Sequence, residues 1–233
     1  MSAPIPFRRF IIPAVAGAAL IAVTSASATA AECVIAPHAA CAHASLAHRN
    51  LRRANLAYAD LAHADLTGAD LTGATLSHAT LTGANMTGAT LATANLSGAI
   101  LTSATLTSAT LTSARLIGAH LHTAHLAPAH LPAADLTYAD ATSATLTGAT
   151  LTGATLTGAT LTIAGLHGAA LGKANLTGAK MPAANLTGAN LTGANLTRAF
   201  LYQAHLTGAT LTGVTWTDAT CPNGRLAARI CTP

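Results

Sequence analysis

The sequence is short of nearly everything an ordinary globular core or a catalytic cleft is made from. It has three Phe, three Tyr and one Trp in 233 residues, and charged residues are 8% of the chain. So few rings exclude a core of large aromatics. So few charges exclude the basic footprint that nucleic-acid binding needs. The count of 11 Lys and Arg against 7 Asp and Glu includes Arg8 and Arg9; without those two the difference is 9 − 7 = +2. Long apolar runs are absent beyond the stretch from Phe10 to Val23, and no cysteine lies between Cys41 and Cys221.

What is abundant is a single unit of five residues. From 44 to 218 the chain repeats alanine, a variable residue, leucine, usually threonine, usually glycine, through 35 units without a slip of phase. The central position departs from Leu only at Met86, Ala141, Met181 and Trp216, and the alanine position fails only at Arg49 and Val214. A step of five on an α-helix turns the side chain by about 140°, so the leucines would spiral and leave no apolar stripe. Thr and Gly are also poor helix formers. A long flat strand fails as well, because an odd period sends successive leucines to opposite faces. Within one unit, however, Ala and Leu stand two apart and share a side, and the fifth position supplies a corner. Repeated strand and corner wind the chain into a coil with Ala and Leu inside. Coils then stack at about 4.8 Å, and only stacking creates the core. The period alone fits three or four sides equally.

The run Ala-(Asn/Asp/Thr)-Leu-Thr-Gly, seen at its purest in residues 144–153, resembles the pentapeptide-repeat family over about three quarters of the chain. That resemblance implies an all-β fold, a right-handed quadrilateral parallel β-helix with four units per coil. On that reading 35 units make about nine coils. The domain order expected is a signal peptide at 1–31, an N-terminal disulfide cap at 32–43, the β-helix at 44–219 and a C-terminal disulfide cap at 220–233.

The first 31 residues read as a secretory signal: Arg8 and Arg9, the apolar run, then Ala28-Thr29-Ala30-Ala31. The run is short for a membrane span, so a membrane is a partner only if the segment stays uncleaved. The twin arginines raise a Tat route, which Phe10-Ile11-Ile12 matches poorly. Cleavage after Ala30 or Ala31 places the protein outside a bacterial cell. An even cysteine count, an export signal and cysteine-free repeats then argue for disulfides. The rod separates the two ends by far more than the roughly 7 Å a disulfide spans, leaving Cys33–Cys41 and Cys221–Cys231. A metal at either pair is the alternative.

Chemistry would sit on the outward positions on either side of each Leu and at the corners. His120, His125 and His130 hold the same outward position on successive sides, and His122 flanks Leu121. Under four sides Asp140 stands one coil above His120, so His120, His122 and Asp140 are the one weak set of metal-ligand candidates. His43 and His63 share a corner column. Asp60, Asp65 and Asp70 point in different directions and cannot converge on a substrate. Arg49, Arg52 and Arg53 form the one basic cluster. Asn95-Leu-Ser and Asn175-Leu-Thr match the glycosylation pattern only through the repeat. No nucleophile–base pair or paired carboxylates can be assembled around a filled interior, so no catalytic residue, cofactor or enzyme activity is expected.

The expected function is a secreted structural or interaction scaffold with an unidentified protein or surface partner. Phe200 and Tyr202, which flank Leu201, are the candidate contact residues, with a homodimer through the C-terminal end as one form of that contact. An alternative is ice binding, because Thr-Leu-Thr puts two outward hydroxyls about 6.6 Å apart and resembles the Thr-x-Thr arrays of β-helical ice-binding proteins. The family resemblance adds topoisomerase-binding DNA mimics, but that mimicry needs a strongly acidic surface that seven acids cannot supply.

Overall fold

Each unit offers five backbone N–H groups, and their destinations define the architecture. The computed structural model describes residues 22–23, 33–227 and 231. In the unit around Leu66, the N–H of Asp65 donates back to Ala44, and those of Leu66 and Gly68 donate forward to Asn85 and Thr87. The N–H of Ala69 donates to the Leu66 carbonyl and closes a turn. Every ladder contact therefore reaches a neighbour about twenty residues away. Parallel bridges join Ala40 to Asp60, Ser45 to Asp65, and so on at every fifth residue up to Phe200 with Thr220. A register of twenty is four units per turn, which selects four sides over three.

The stacked units form four sides. The first carries the central residues Leu46 to Leu206 at intervals of twenty, the second Leu51 to Leu211, the third Leu56 to Trp216. The fourth runs from Cys41 through Leu61, Leu121 and Leu201 to Cys221. Leu and Ala fill the interior, nearly all at 0–2% exposure, and no polar side chain is buried among the described residues.

The corner is a type II turn, whose third residue needs positive φ. The residue at the fifth position of every unit except that of Pro128 has it, from His38 at 58° to Asp218 at 55°. Glycine supplies many corners, but 21 non-glycine residues take the same conformation, Ile163 among them at 56°. The stacked hydrogen bonds impose that backbone on side chains that would not choose it alone. Pro128 cannot adopt positive φ, and its corner is turned through a cis Ala127–Pro128 bond.

The ladder begins earlier than the expected boundary at 44. Ala40 is already bridged and the Cys41 N–H bonds to Asp60. Cys41 sits in a leucine column at 2% exposure, so counting leucines misses the unit that holds it. Before it lies β2 (Cys33–Val34), paired antiparallel with β1 (Ala22–Val23). The rest of the expected signal segment, Arg8, Arg9, Ala30 and Ala31 included, lies outside the described residues. At the other end the chain reverses: Thr220 bridges Leu226 antiparallel, and Cys221 N–H bonds to Arg225. Disulfides Cys33–Cys41 and Cys221–Cys231 tie the two ends, with Cα separations of 4.8 and 5.2 Å.

Candidate functional site

With the interior filled, the outer surface carries all the polar chemistry. One N–H per unit, that of the residue after Leu, has no main-chain partner in the ladder. Where the variable residue two positions earlier is Asn or Asp, its side chain supplies one. All thirteen Asn and Asp at that position, from Asn50 to Asn195, accept this N–H through Oδ1 at 3.0–3.2 Å. Where Thr follows Leu, its hydroxyl generally joins the same oxygen, at 2.6 Å for Asp65, Asp70 and Asp140. Asn or Asp before Leu and Thr after it thus form a local Asx motif at the corners that carry them. The sequence carried the signal, Asx and Thr two apart, but reading Thr only as a strand former with a wettable hydroxyl missed it.

These bonds set the acids. Thr67 holds the Asp65 carboxyl below its ordinary range, through its hydroxyl first and then its N–H. Thr72 does the same for Asp70, helped by Arg52 at 3.0 Å. At Asp140 burial pushes the pKa up, but the two Thr142 bonds and the charges of His122 and His120 outweigh it, and the net shift is downward. Asp60, Asp65 and Asp70 lie on the fourth, first and second sides and do not converge. Arg52 of the basic cluster is paired to Asp70; Arg53 occupies a corner.

The weak metal set is only partly assembled. His120 is bridged to Asp140, and His122 stands on the same side. Among the described residues, however, no three His, Cys, Asp or Glu side chains come together as a metal-ligand group. The corner histidines behave differently. His43 stacks on His63 at 5.2 Å, and His38, Tyr58 and His78 form a three-ring stack with 5.0 Å steps. Rings lean along the rod toward the next coil, where the corner is often glycine: a Cβ on Gly83 would lie 2.6 Å from the His63 ring.

Phe200 and Tyr202 face outward with ring centroids 6.2 Å apart. The hairpin touches this pair without hiding it: Gln203 N–H bonds to Pro222, and Gly224 lies close to the Tyr202 ring. Both rings stay about two-fifths exposed, at 42% and 43%. Trp216 is buried, in the same cluster as Cys221 and Cys231. The Thr-Leu-Thr pairs do not form an array: along the ladder Thr145 stands between His125 and Gly165, and Thr150 between His130 and Ala170.

Four sides of five-residue strands and corners define a quadrilateral parallel β-solenoid. Pentapeptide repeats match the chain over residues 38–73, 50–88, 89–127, 124–162, 142–178, 164–198 and 184–219. The chain belongs to the pentapeptide-repeat family. Among solved structures it is similar to HetL, a pentapeptide repeat protein involved in heterocyst differentiation regulation in the cyanobacterium Nostoc sp. strain PCC 7120. Identity to HetL is 34%, covering 79% of this chain and 86% of that one, with a TM-score of 0.46. A pentapeptide repeat protein of the Arabidopsis thaliana thylakoid lumen is 36% identical over 39% of this chain and 63% of its own, with a TM-score of 0.38. QnrB1, a plasmid-mediated fluoroquinolone resistance protein, is 18% identical over 64% of this chain and 90% of its own, with a TM-score of 0.34. No curated protein matches the chain.

Proposed function

We propose that the protein is an exported, non-catalytic rod, a right-handed solenoid of about nine coils that works by presenting its outer surface to a macromolecular partner. The observation that carries this reading is the filled interior. Its inward columns are Leu and Ala at near-zero exposure with no buried polar group among the described residues, so recognition falls to side chains on the outside. Two end disulfides suit an oxidising compartment. The small charge excess favours neither nucleic acid nor a DNA-like surface.

Export is tested by N-terminal sequencing of the protein recovered from the medium of the native cell. A start at Ala31 or Glu32 supports the reading, and an intact Met1 on a membrane-bound protein overturns it. The scaffold role is tested by pull-down from that medium with the rod as bait. A partner retained by the unmodified rod and lost on surface substitution supports it, whereas turnover of a small substrate by the rod overturns it.

A further inference from the structure

Between Ala40 and Thr220 six large apolar side chains are exposed, at 39–70%: Tyr58, Ile100, Tyr138, Ile163, Phe200 and Tyr202. All six belong to the fourth side or to the two corners that border it. Ile100, Phe200 and Tyr202 flank its central column; Tyr58 and Tyr138 occupy the corner before it, Ile163 the corner after. The bridges joining Asp60, Thr80, Ile100, His120, Asp140, Thr160, Lys180 and Phe200 in one line prove the alignment. Tyr58 and Tyr138 also border the third side and Ile163 the first, but among the described residues from 40 to 220 the strands of the other three sides carry no exposed large apolar group. Scattered surface apolar residues need no explanation, but a row confined to one side of four does.

We propose that the fourth side is a self-association surface on which a second copy of this chain packs face to face and antiparallel, about a two-fold axis between the coil of His120 and the coil of Asp140. The rest of the rod argues for this occupant through the order of residues along the side. A two-fold axis across the rod pairs each row with itself in reverse. His120 of one copy then faces Asp140 of the other, and the pair occurs twice. Tyr202 faces Ala62, Tyr138 faces Gly118 and Ile163 faces Ser103, three large groups each meeting a small one, while Ile100 faces Thr160 and Phe200 faces Asp60. Tyr58 faces Arg198, whose contact with Asp218 is 3.9 Å and exposed, leaving the guanidinium free to lie on the ring. A parallel arrangement sets His120 against His122 and brings no acid to a base.

The area is sufficient. From Asp60 to Phe200 the side spans eight coils, about 38 Å at the strand spacing, and its width with both corners is up to about 16 Å. That is roughly 600 Å² per copy, or about 1,200 Å² in total, the lower end of the range for specific interfaces. The inference rests on the ladder and not on export, so either can fail alone.

Sedimentation velocity on the purified protein tests it. The unmodified protein sediments as a dimer at tens of micromolar. Ile100→Glu with Ile163→Glu, both far from the ends and both exposed, converts it to monomer with an unchanged melting curve. Thr110→Glu on the second side leaves the dimer intact. A monomer at these concentrations overturns the proposal, as does a dimer that survives the double substitution. For the register, Ala62→Cys with Tyr202→Cys crosslinks the two copies under mild oxidation. Crosslinking between Asp60→Cys and Ala62→Cys, which face each other only when the copies run parallel, overturns the antiparallel register.

Discussion

Ala141 is the one small residue in the central position of a unit between 44 and 218, and replacing it with leucine should stabilise the rod. Its column neighbours one coil away on either side are Leu121 and Leu161. Two outcomes are conceivable for such a gap: the backbone closes in, or the stack holds its spacing and leaves room. The hydrogen bonds show the second. Leu121 N–H to Asp140 O is 2.6 Å and Ala141 N–H to Thr160 O is 2.7 Å, the same as at the flanking Leu136 and Leu146, both 2.7 Å. The coil also packs less tightly, since Leu136, Ala141 and Leu146 reach 2% exposure where Leu116, Leu121 and Leu126 show 0%. Leucine adds three carbons, which at about 0.8 kcal/mol per buried CH₂ is ~2.4 kcal/mol. That sits at the low end of the 2–5 kcal/mol that the reverse deletion typically costs, because it counts transfer alone and not the cavity left by a deletion. For a domain of this size about 2–4 °C accompanies each kcal/mol, so the Ala141→Leu melting temperature should rise by about 5–10 °C. Differential scanning calorimetry reads it, with Leu101→Ala as a control that should lower it by at least as much. An unchanged or reduced melting temperature for Ala141→Leu would show that the coil has already closed around the alanine.

Four further outcomes follow from the surface geometry. Gly83→Ala should destabilise more than Gly88→Ala, since both are at positive φ but only the first drives a Cβ into a ring, that of His63; adding His63→Ala should reduce Gly83→Ala to the cost of Gly88→Ala in thermal melts. Asn195→Ala leaves the Thr197 N–H without its Oδ1 acceptor and should cost about 0.5–1.5 kcal/mol by denaturant unfolding. Thr142→Val removes one of the bonds that hold the Asp140 carboxyl low, so its pKa by NMR titration should move up toward the usual carboxylate range. Because Asp65, Asp70 and Asp140 are all depressed in the folded state, their contribution to stability is present above the unfolded carboxylate pKa and is lost as pH falls through the folded values; thermal melts should drop on acidification below about pH 4 and not on alkalinisation.

Much of this molecule is written in its period. A strict five-residue repeat with Leu and Ala two apart forbids a helix and a flat sheet, and it names every inward residue from Leu46 to Trp216, because a solenoid makes each unit solve the same packing problem. Cysteines confined to the two ends likewise allow only local pairing in a long rod. Other features required the stacked coils. The number of sides depends on which unit lands on which, and only the twenty-residue register of the ladder decides between three and four. The unit that opens the ladder was hidden because Cys41 stands where a leucine was sought. The role of Asn, Asp and Thr emerged from the hydrogen bonds, since the N–H they satisfy is the one the ladder leaves over. The corner ring stacks, and the gathering of Tyr58, Ile100, Tyr138, Ile163, Phe200 and Tyr202 on one side, join residues 20 to about 140 apart in the chain. A five-residue period treats all four sides alike, so what distinguishes one side from another exists only once the coils are stacked.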